Sequence, residues 1–237
     1  MFAIFKREVR SCFHGMIGYV LTAFLLVASA IYFVALNLGY GLPDFGYYTL
    51  YNTIFMLLFY FPVLTMRSFA EERRTRTDQL LLTSPVPVPG IVLGKYLAAF
   101  TVMIFTVLLT LIYVLIIAMY GAVYPSELLV GYLGFILQGG AFLALDLFIS
   151  GCASSQVTAA VTAFGVNLAL WLLDLLAGSM TQSWVRDVLY FFSLYDRYNP
   201  FLMGQLSFAS IGYDLSFIAA FLALTIHRLD SRRYRGA

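Results

Sequence analysis

The segment Gly90-Ile-Val-Leu-Gly94-Lys95 is the part of this chain that comes closest to a nucleotide-binding motif. A phosphate-binding loop has four residues between its glycines and a serine or threonine after its lysine. Here three residues separate the glycines, and Tyr96 follows the lysine. We therefore predict that the chain does not bind ATP by this route, and that Lys95 anchors a membrane span at the headgroups.

The remaining candidate residues do not form a catalytic or metal site. His14 and His227 lie near opposite ends of the chain, and Cys12 and Cys152 are far apart in sequence. Neither pair has the spacing of a zinc site or of a nucleophile with its base. We expect no catalytic residue, cofactor or metal in this chain.

Three polar residues interrupt long apolar runs, where polar groups are costly. An ionised aspartate at the centre of a membrane helix costs about 2.5–3.5 kcal/mol, so Asp146 and Asp174 should face protein or a cavity. Asn167 lies two turns before Asp174 and shares roughly one helical face with it. We predict an intramembrane polar path through Asp146, Asn167 and Asp174 that could line a dimer interface or a substrate path. Hydrogen bonds are favoured over proton transfer, because we find no further ionisable residue in a span to complete a relay.

The elements that position these residues are membrane helices. The 237 residues are 62% hydrophobic and 11% charged, whereas soluble domains have about 25% charged residues. The net charge of +2 is too small to indicate a nucleic-acid partner. Six runs are long enough to cross a hydrocarbon core of about 30 Å: Met16–Leu38, Tyr47–Met66, Ile91–Met119, Leu128–Ser150, Val157–Gly178 and Ser207–Ile226. We predict an all-α integral membrane protein with six transmembrane helices and a single domain over residues 1–237.

Two segments outside the spans have patterns of their own. In residues 1–15, Phe2 and Phe5 lie on one helical face and Lys6 and Arg10 on another, which predicts an interfacial amphipathic helix. The external segment, residues 180–206, predicts one or two short helices at the outer leaflet. Its aromatic residues are expected in the membrane interface; they are Trp184, Tyr190, Tyr195 and Tyr198.

The distribution of lysine and arginine predicts the orientation. With the N-terminus inside and alternating spans, 12 of the 14 basic residues lie on the inner side. They are Lys6, Arg7, Arg10, Arg67, Arg73, Arg74, Arg76, Lys95, Arg228, Arg232, Arg233 and Arg235. Arg186 and Arg197 lie outside. This bias predicts that both termini are cytoplasmic.

The polar stretch from Arg67 to Gly90 separates the second and third spans. We expect Glu71–Arg74 to continue the helix of the second span, and Thr77 to cap a following short helix with Asp78 in its first turn. Leu80, Leu81 and Leu82 give that helix an apolar surface, and Pro85 and two further prolines stiffen the return. These residues fit equally a handle gripped by a partner and a solvated loop with its leucines on the inner leaflet.

The residues of this stretch resemble a known family. Met66–Glu72, Leu80–Val86 and Val92–Tyr96 are similar to the membrane subunit of type-2 ATP-binding-cassette (ABC) transporters. Within that family, the chain is most similar to the gliding-motility-associated permeases, which are related to the permease of nitrous-oxide-reductase maturation. Residues 149–160 and 213–234 fit the same pattern.

The resemblance implies an architecture and a set of partners. Residues 1–15 would be an elbow helix, and residues 67–90 would contain the cytoplasmic coupling helix. Two permease subunits, identical or different, would pair above two ATPase subunits that bind ATP and Mg. An accessory membrane subunit with a large external domain and the lipid of a bacterial cytoplasmic (inner) membrane complete the expected surroundings. The residues expected to contact the ATPase are Glu71, Glu72, Thr77, Asp78, Leu80, Leu81, Leu82, Thr83, Ser84 and Pro85.

The function we predict is a non-enzymatic permease subunit of an ABC exporter or mechanotransmission complex. Two alternatives stay open from the sequence. One is an integral-membrane enzyme acting on lipid, and the other is a secondary transporter driven by an ion gradient. The first would need a cluster of catalytic groups near the headgroups, and the second would need a chain of buried acids.

Overall fold

The computed structural model describes residues 1–41, 44–75, 77, 86–120, 124–180 and 182–235, in which every regular element is helical. The α-helices are α1 Phe2–His14, α2 Met16–Tyr32, α3 Tyr51–Thr65, α4 Ala70–Arg74, α5 Val88–Leu109, α6 Leu111–Tyr120, α7 Pro125–Cys152, α8 Gln156–Ser179, α9 Ser183–Phe192, α10 Asn199–Leu202 and α11 Phe208–Arg235. π-Helical turns at Phe33–Leu38 and Gly46–Leu50 extend α2 and precede α3, and a 3₁₀ turn at Asp196–Tyr198 precedes α10. The predicted all-α fold is confirmed.

Six helical stretches are long and apolar enough to cross a membrane, as predicted. They are Met16–Leu38, Gly46–Arg74, Val88–Met119, Pro125–Cys152, Gln156–Ser179 and Phe208–Ser231. In the apolar 18-residue window of the fourth stretch 67% of the residues are buried, compared with 61% in the second and only 17% in the fifth. The fourth stretch, α7, is central because it packs against α3, α5, α8, α10 and α11.

Glycines on α7 let the segment after α9 enter the bundle. The Tyr198 hydroxyl donates a hydrogen bond to the Gly131 carbonyl at 3.2 Å. A Cβ atom at Gly134 would lie only 2.5 Å from the Phe201 ring. Tyr198 is therefore buried, and Tyr195 is buried against Phe142, so neither is the exposed aromatic side chain that an interfacial role predicts. Small residues that permit such close contact are common where membrane helices pack.

The second span does not continue without a break into the charged stretch. A turn at residues 66–69 separates α3 from α4, so the predicted continuous helix is wrong. The turn leaves backbone groups without helical partners, and such groups need partners when they are buried. The N–H groups of Phe69 and Ala70 donate to Ser150 Oγ of α7 at 3.3 and 3.4 Å. The turn thereby attaches the start of α4 to the end of α7.

Helix α1 packs along the beginning of α5. A Cβ atom at Gly94 would lie 3.2 Å from both Ile4 Cγ2 and the Met1 carbonyl oxygen, so the glycine allows this close approach. Ile4 is buried on this side, whereas Phe2 is 76% exposed. The contact face of α1 also carries Glu8, which points toward α5. That α1 lies in the membrane interface stays a prediction.

The Gly134→Ala substitution tests the packing of the segment after α9. Because the new methyl group would meet the buried Phe201 ring, we expect a loss of about 1–3 kcal/mol of stability. Gly212→Ala is the matched control, since nothing lies within 4 Å of its added Cβ. The measurement is the thermal unfolding midpoint in detergent. Equal midpoints for the two variants would contradict the packing described.

Candidate functional site: a charged junction beside the 67–90 segment

A buried lysine connects the start of α5 to two other helices. Lys95 is 2% exposed. Its ammonium donates to Glu72 Oε1 at 2.8 Å, to Glu8 Oε1 at 3.2 Å and to the Ser68 carbonyl at 2.5 Å. An ammonium has three N–H donors, so all of them can be satisfied here. The predicted role of Lys95 as a headgroup anchor is therefore wrong, because its ammonium is buried and forms ion pairs with Glu8 and Glu72.

Each partner of Lys95 is positioned by a different local feature. The turn after α3 exposes the Ser68 carbonyl, α4 carries Glu72, and the close approach at Gly94 brings Glu8 within reach. The ammonium also lies 5.0 Å from the centre of the Phe69 ring. A cation at this distance from an aromatic ring is attracted by the negative face of the ring.

Arg7 completes the electrostatic balance. Its Nη2 donates to Glu72 Oε1 at 3.0 Å and to Glu8 Oε1 at 2.8 Å. Two cations thus face two carboxylates, and we call Arg7, Glu8, Glu72 and Lys95 the charged junction. Burial alone would raise the pKa of Glu8, but the charge of Lys95 and the hydrogen bonds from Arg7 and Lys95 outweigh burial and lower it. Glu8 is therefore ionised at neutral pH, which keeps the junction balanced.

A second attachment links α4 to the end of α7. The Arg73 guanidinium donates from Nη2 to the Gly151 carbonyl at 2.5 Å, from Nη1 to the Cys152 carbonyl at 3.1 Å, and to the Ala153 carbonyl. The last carbonyls of a helix lack intrahelical partners and carry partial negative charge, so a guanidinium suits them. We call this contact the Arg73 cap.

The two attachments hold one short helix between three long ones. The charged junction ties α4 to α1 and α5, and the Arg73 cap with Ser150 ties it to α7. Helix α4 is the first part of the 67–90 segment. Helix α4 is therefore connected to the middle of α1, the beginning of α5 and the end of α7.

The predicted ATPase-contacting residues fall only partly within the described chain. Glu72 belongs to the charged junction, and Glu71 is half-buried beside it. The Thr77 hydroxyl bonds back to α4, donating to the Glu72 carbonyl at 3.3 Å. Asp78 and the segment Leu80, Leu81, Leu82, Thr83, Ser84 and Pro85 lie outside the described residues. The helix that Thr77 was expected to cap lies there too.

The predicted intramembrane polar residues form two separate pairs. Asn167 Nδ2 donates to Asp146 Oδ2 at 3.0 Å, and both side chains are fully buried. Ser193 Oγ donates to Asp174 Oδ1 at 2.8 Å. Asn167, Trp171 and Asp174 are spaced at i, i+4 and i+7 and share one face of α8. The two pairs therefore lie along one side of this helix with Trp171 between them.

Several residues of interest were missed by reasoning from the sequence. The notable ones are Glu8, Arg73 and Ser150, which hold α4, and Asp214, which is 2% exposed in the last span. The charge of Arg197 acts on Asp214, and the same guanidinium lies 4.5 Å from the Tyr213 ring centre. The sequence did contain a signal for this cluster. Lys95 is the single charged residue in the apolar run Ile91–Met119, and a charge in such a run requires a partner of opposite charge. The described part of the chain contains no group of three or more His, Cys, Asp or Glu side chains suited to a metal ion.

Comparison with known protein families decides the class. Residues 25–226 match the family described as ABC-2 family transporter protein. The chain belongs to the ABC-2 family. A search of curated proteins found no match. As an ABC-2 protein, the chain is a multi-pass membrane protein and a permease component of an ABC transporter. Family membership implies association with an ABC ATPase and dimerisation.

The matched range contains Glu72, Lys95 and the Arg73 cap, whereas α1 with Arg7 and Glu8 precedes it. In this ABC-2 permease, the charged junction therefore joins the family-defining region to the helix before it. That helix contributes one of the two carboxylates that compensate Lys95.

The Lys95→Met substitution tests the charged junction. It leaves Glu8 and Glu72 facing only Arg7, and removing one partner of a buried ion pair costs about 3 kcal/mol. We expect a clear fall in the thermal unfolding midpoint, and partial recovery in Lys95→Met/Glu8→Gln, where the charges balance again. Lys6→Met on the exposed side of α1 is the matched control. A Lys95→Met protein as stable as the control would refute the stabilising role of the junction.

Proposed function

We propose that this ABC-2 permease is driven by a separate cytoplasmic ATPase through the 67–90 segment. The observation that carries the proposal is the double attachment of α4, by the charged junction and by the Arg73 cap. The ATPase would grip the segment after α4, and the attachments would pass its motion to the membrane helices. The permease itself hydrolyses nothing; ATP and Mg belong to the partner.

The energy has to come from outside this chain. The Gly90–Lys95 segment departs from a phosphate-binding loop in its spacing and in the residue after its lysine. The ammonium of Lys95 moreover donates its three hydrogen bonds to Glu8, Glu72 and Ser68, so it has no donor left for a phosphate. These facts support a partner that binds the nucleotide.

The attachments suit the transmission of force. Ion pairs with little exposure and hydrogen bonds to helix-end carbonyls resist displacement, because breaking them leaves charged or polar groups unpaired. A push on α4 would thereby be shared by α1, α5 and α7. The predicted contacts with the ATPase are Glu71, Glu72, Thr77, Asp78, Leu80, Leu81, Leu82, Thr83, Ser84 and Pro85.

The basic residues near the charged junction also suggest how the chain is oriented in the membrane. The charged junction contains Arg7 and Lys95 and adjoins Arg73, three of the basic residues predicted for the inner side, so we propose that this end of the bundle is cytoplasmic. Both termini would then be cytoplasmic, with the chain in a bacterial inner membrane. Arg186 and Arg197 would lie at the external end.

The proposed assembly contains two ATPase subunits and a second permease, identical or different. The similarity of Met66–Glu72 and Leu80–Val86 to gliding-motility-associated and nitrous-oxide-reductase-maturation permeases supports a role in export or mechanotransmission. By the same similarity, an accessory membrane subunit with a large external domain would join the complex.

Cysteine cross-linking tests this function. In a Cys12→Ser/Cys152→Ser background, Leu81→Cys is expected to form a cross-link with the ATPase that co-purifies with the permease. Leu206→Cys, which is 54% exposed at the opposite end, is the matched control and should not react. The readout is a shifted band that contains both chains. Absence of a co-purifying ATPase, or equal cross-linking from both positions, would overturn the proposal.

A further inference from the structure

A cavity of about 250 Å³ lies between α2, α3 and α8. Its walls are almost entirely aromatic: Tyr32, Tyr51, Phe55, Trp171 and Tyr195, with Asn52 as the single non-aromatic residue. The Trp171 and Phe55 rings meet edge to face, with centroids 5.2 Å apart. The cavity lies toward the external end of the proposed orientation, far along the chain from the charged junction.

The Asp174 carboxylate lies near this cavity, where it acts on the lining residues Tyr51 and Tyr195. Asp174 follows Trp171 by three residues on the same face of α8, and its partner Ser193 is two residues before Tyr195. Asp146 accepts a hydrogen bond from Asn167, which precedes Trp171 by four residues. Within the described residues, neither aspartate forms an ion pair with a lysine, arginine or histidine; the ion pairs there belong to the charged junction.

The Tyr195 side chain provides an independent sign of a missing partner. Tyr195 is 5% exposed, and its hydroxyl has no hydrogen-bond partner among the described residues. Burial raises the pKa of this phenol, and the nearby Asp174 carboxylate raises it further. A buried polar group without a partner is uncommon and marks a place where a ligand or water can bind.

The chemistry of these walls selects the charge of a ligand. Aromatic faces attract cations, most strongly when the cation has shed its water. The Asp174 carboxylate, which has no cationic partner among the described residues, adds attraction for a positive charge and repels an anion. A neutral apolar ligand would fit the rings and would gain nothing from Asp174. An organic cation of small size uses both features.

We propose that this cavity binds a small alkylammonium cation, with the rings of Tyr51 and Trp171 around the cation and Asp174 as its counter-charge. Tyr195 serves as a hydrogen-bonding group for a polar substituent of the ligand. That the bound cation is the cargo rests on the proposed permease function. The binding itself requires no ATPase, so the two proposals can fail separately.

The test uses the purified permease in lipid nanodiscs without ATPase. Tritiated choline is the cationic probe, and 3,3-dimethyl-1-butanol is its neutral isostere and competitor. Binding is measured by scintillation proximity. Because the chain has only two tryptophans, a Trp184→Phe protein reports choline at Trp171 through fluorescence quenching.

Three variants test separately the charge of Asp174, the ring of Trp171 and the hydroxyl of Tyr195. Asp174→Asn keeps a hydrogen-bonding partner for Ser193 and should raise the choline Kd about tenfold. Trp171→Leu should also raise the choline Kd about tenfold. Tyr195→Phe keeps the ring and loses one hydrogen bond, so it should raise the choline Kd about threefold. Glu127→Gln is the matched control, because it removes a carboxylate that lines a different cavity. Its Kd should stay within twofold of the native value.

Choline binding by the native protein and by the variants tests the proposed cation site. Saturable choline binding that is weakened by Asp174→Asn, spared by Glu127→Gln and poorly displaced by the neutral alcohol supports the site. Absence of saturable binding by the native protein overturns it. So does an Asp174→Asn protein that elutes as a folded species and binds choline as well as the native protein. Equal affinity for choline and the neutral alcohol would also overturn it, since it would show a merely apolar cavity.

Discussion

A lysine ammonium buried beside the membrane region has to be compensated, and this requirement organises one end of the permease. The Lys95 side chain is 1% exposed and forms ion pairs with Glu8 of α1 and Glu72 of α4. An uncompensated charge in such a place is strongly destabilising, so neither helix can leave without cost. The close approach at Gly94 and the turn at residues 66–69 follow from the same need to bring acceptors to this ammonium.

The central helix α7 extends this constraint through the bundle. Its last carbonyls receive the Arg73 cap, its middle carries Asp146 bonded to α8, and its early glycines receive Tyr198 and Phe201. A helix of 28 residues is about 40 Å long at 1.5 Å per residue. It therefore connects the Arg73 cap with α8, the helix that carries Trp171 of the aromatic cavity. Helix α4 is thus joined to the cavity by packed helices.

Much of the fold was predictable from the sequence because hydrophobic length is a strong signal. The six spans and the helical class need no knowledge of contacts. The fate of single polar residues was harder to predict. Lys95 looked like a headgroup anchor because its partners Glu8 and Glu72 are distant in sequence. Tyr198 looked interfacial because its burial depends on a contact with Gly131 of another helix, which the sequence does not show.

The polar residues within the spans show the same limit. The spacing of Asn167 and Asp174 correctly gave a shared helical face, yet their hydrogen bonds go to Asp146 and Ser193, on other segments. Asp214 was overlooked in the last span, although it is buried there. Helical periodicity reports which side chains share a face, and only the packing of helices determines what that face meets.

The central claim is that the charged junction passes motion from the 67–90 segment to α1. Hydrogen–deuterium exchange on the reconstituted permease–ATPase complex, with and without ATP and vanadate, tests it most directly. The account predicts that nucleotide changes the exchange of residues 68–74 and 2–14 together in the native complex. In Glu72→Gln, where both cations lose this carboxylate, the change should persist at 68–74 and vanish at 2–14. An undiminished response of residues 2–14 in Glu72→Gln would contradict the claim.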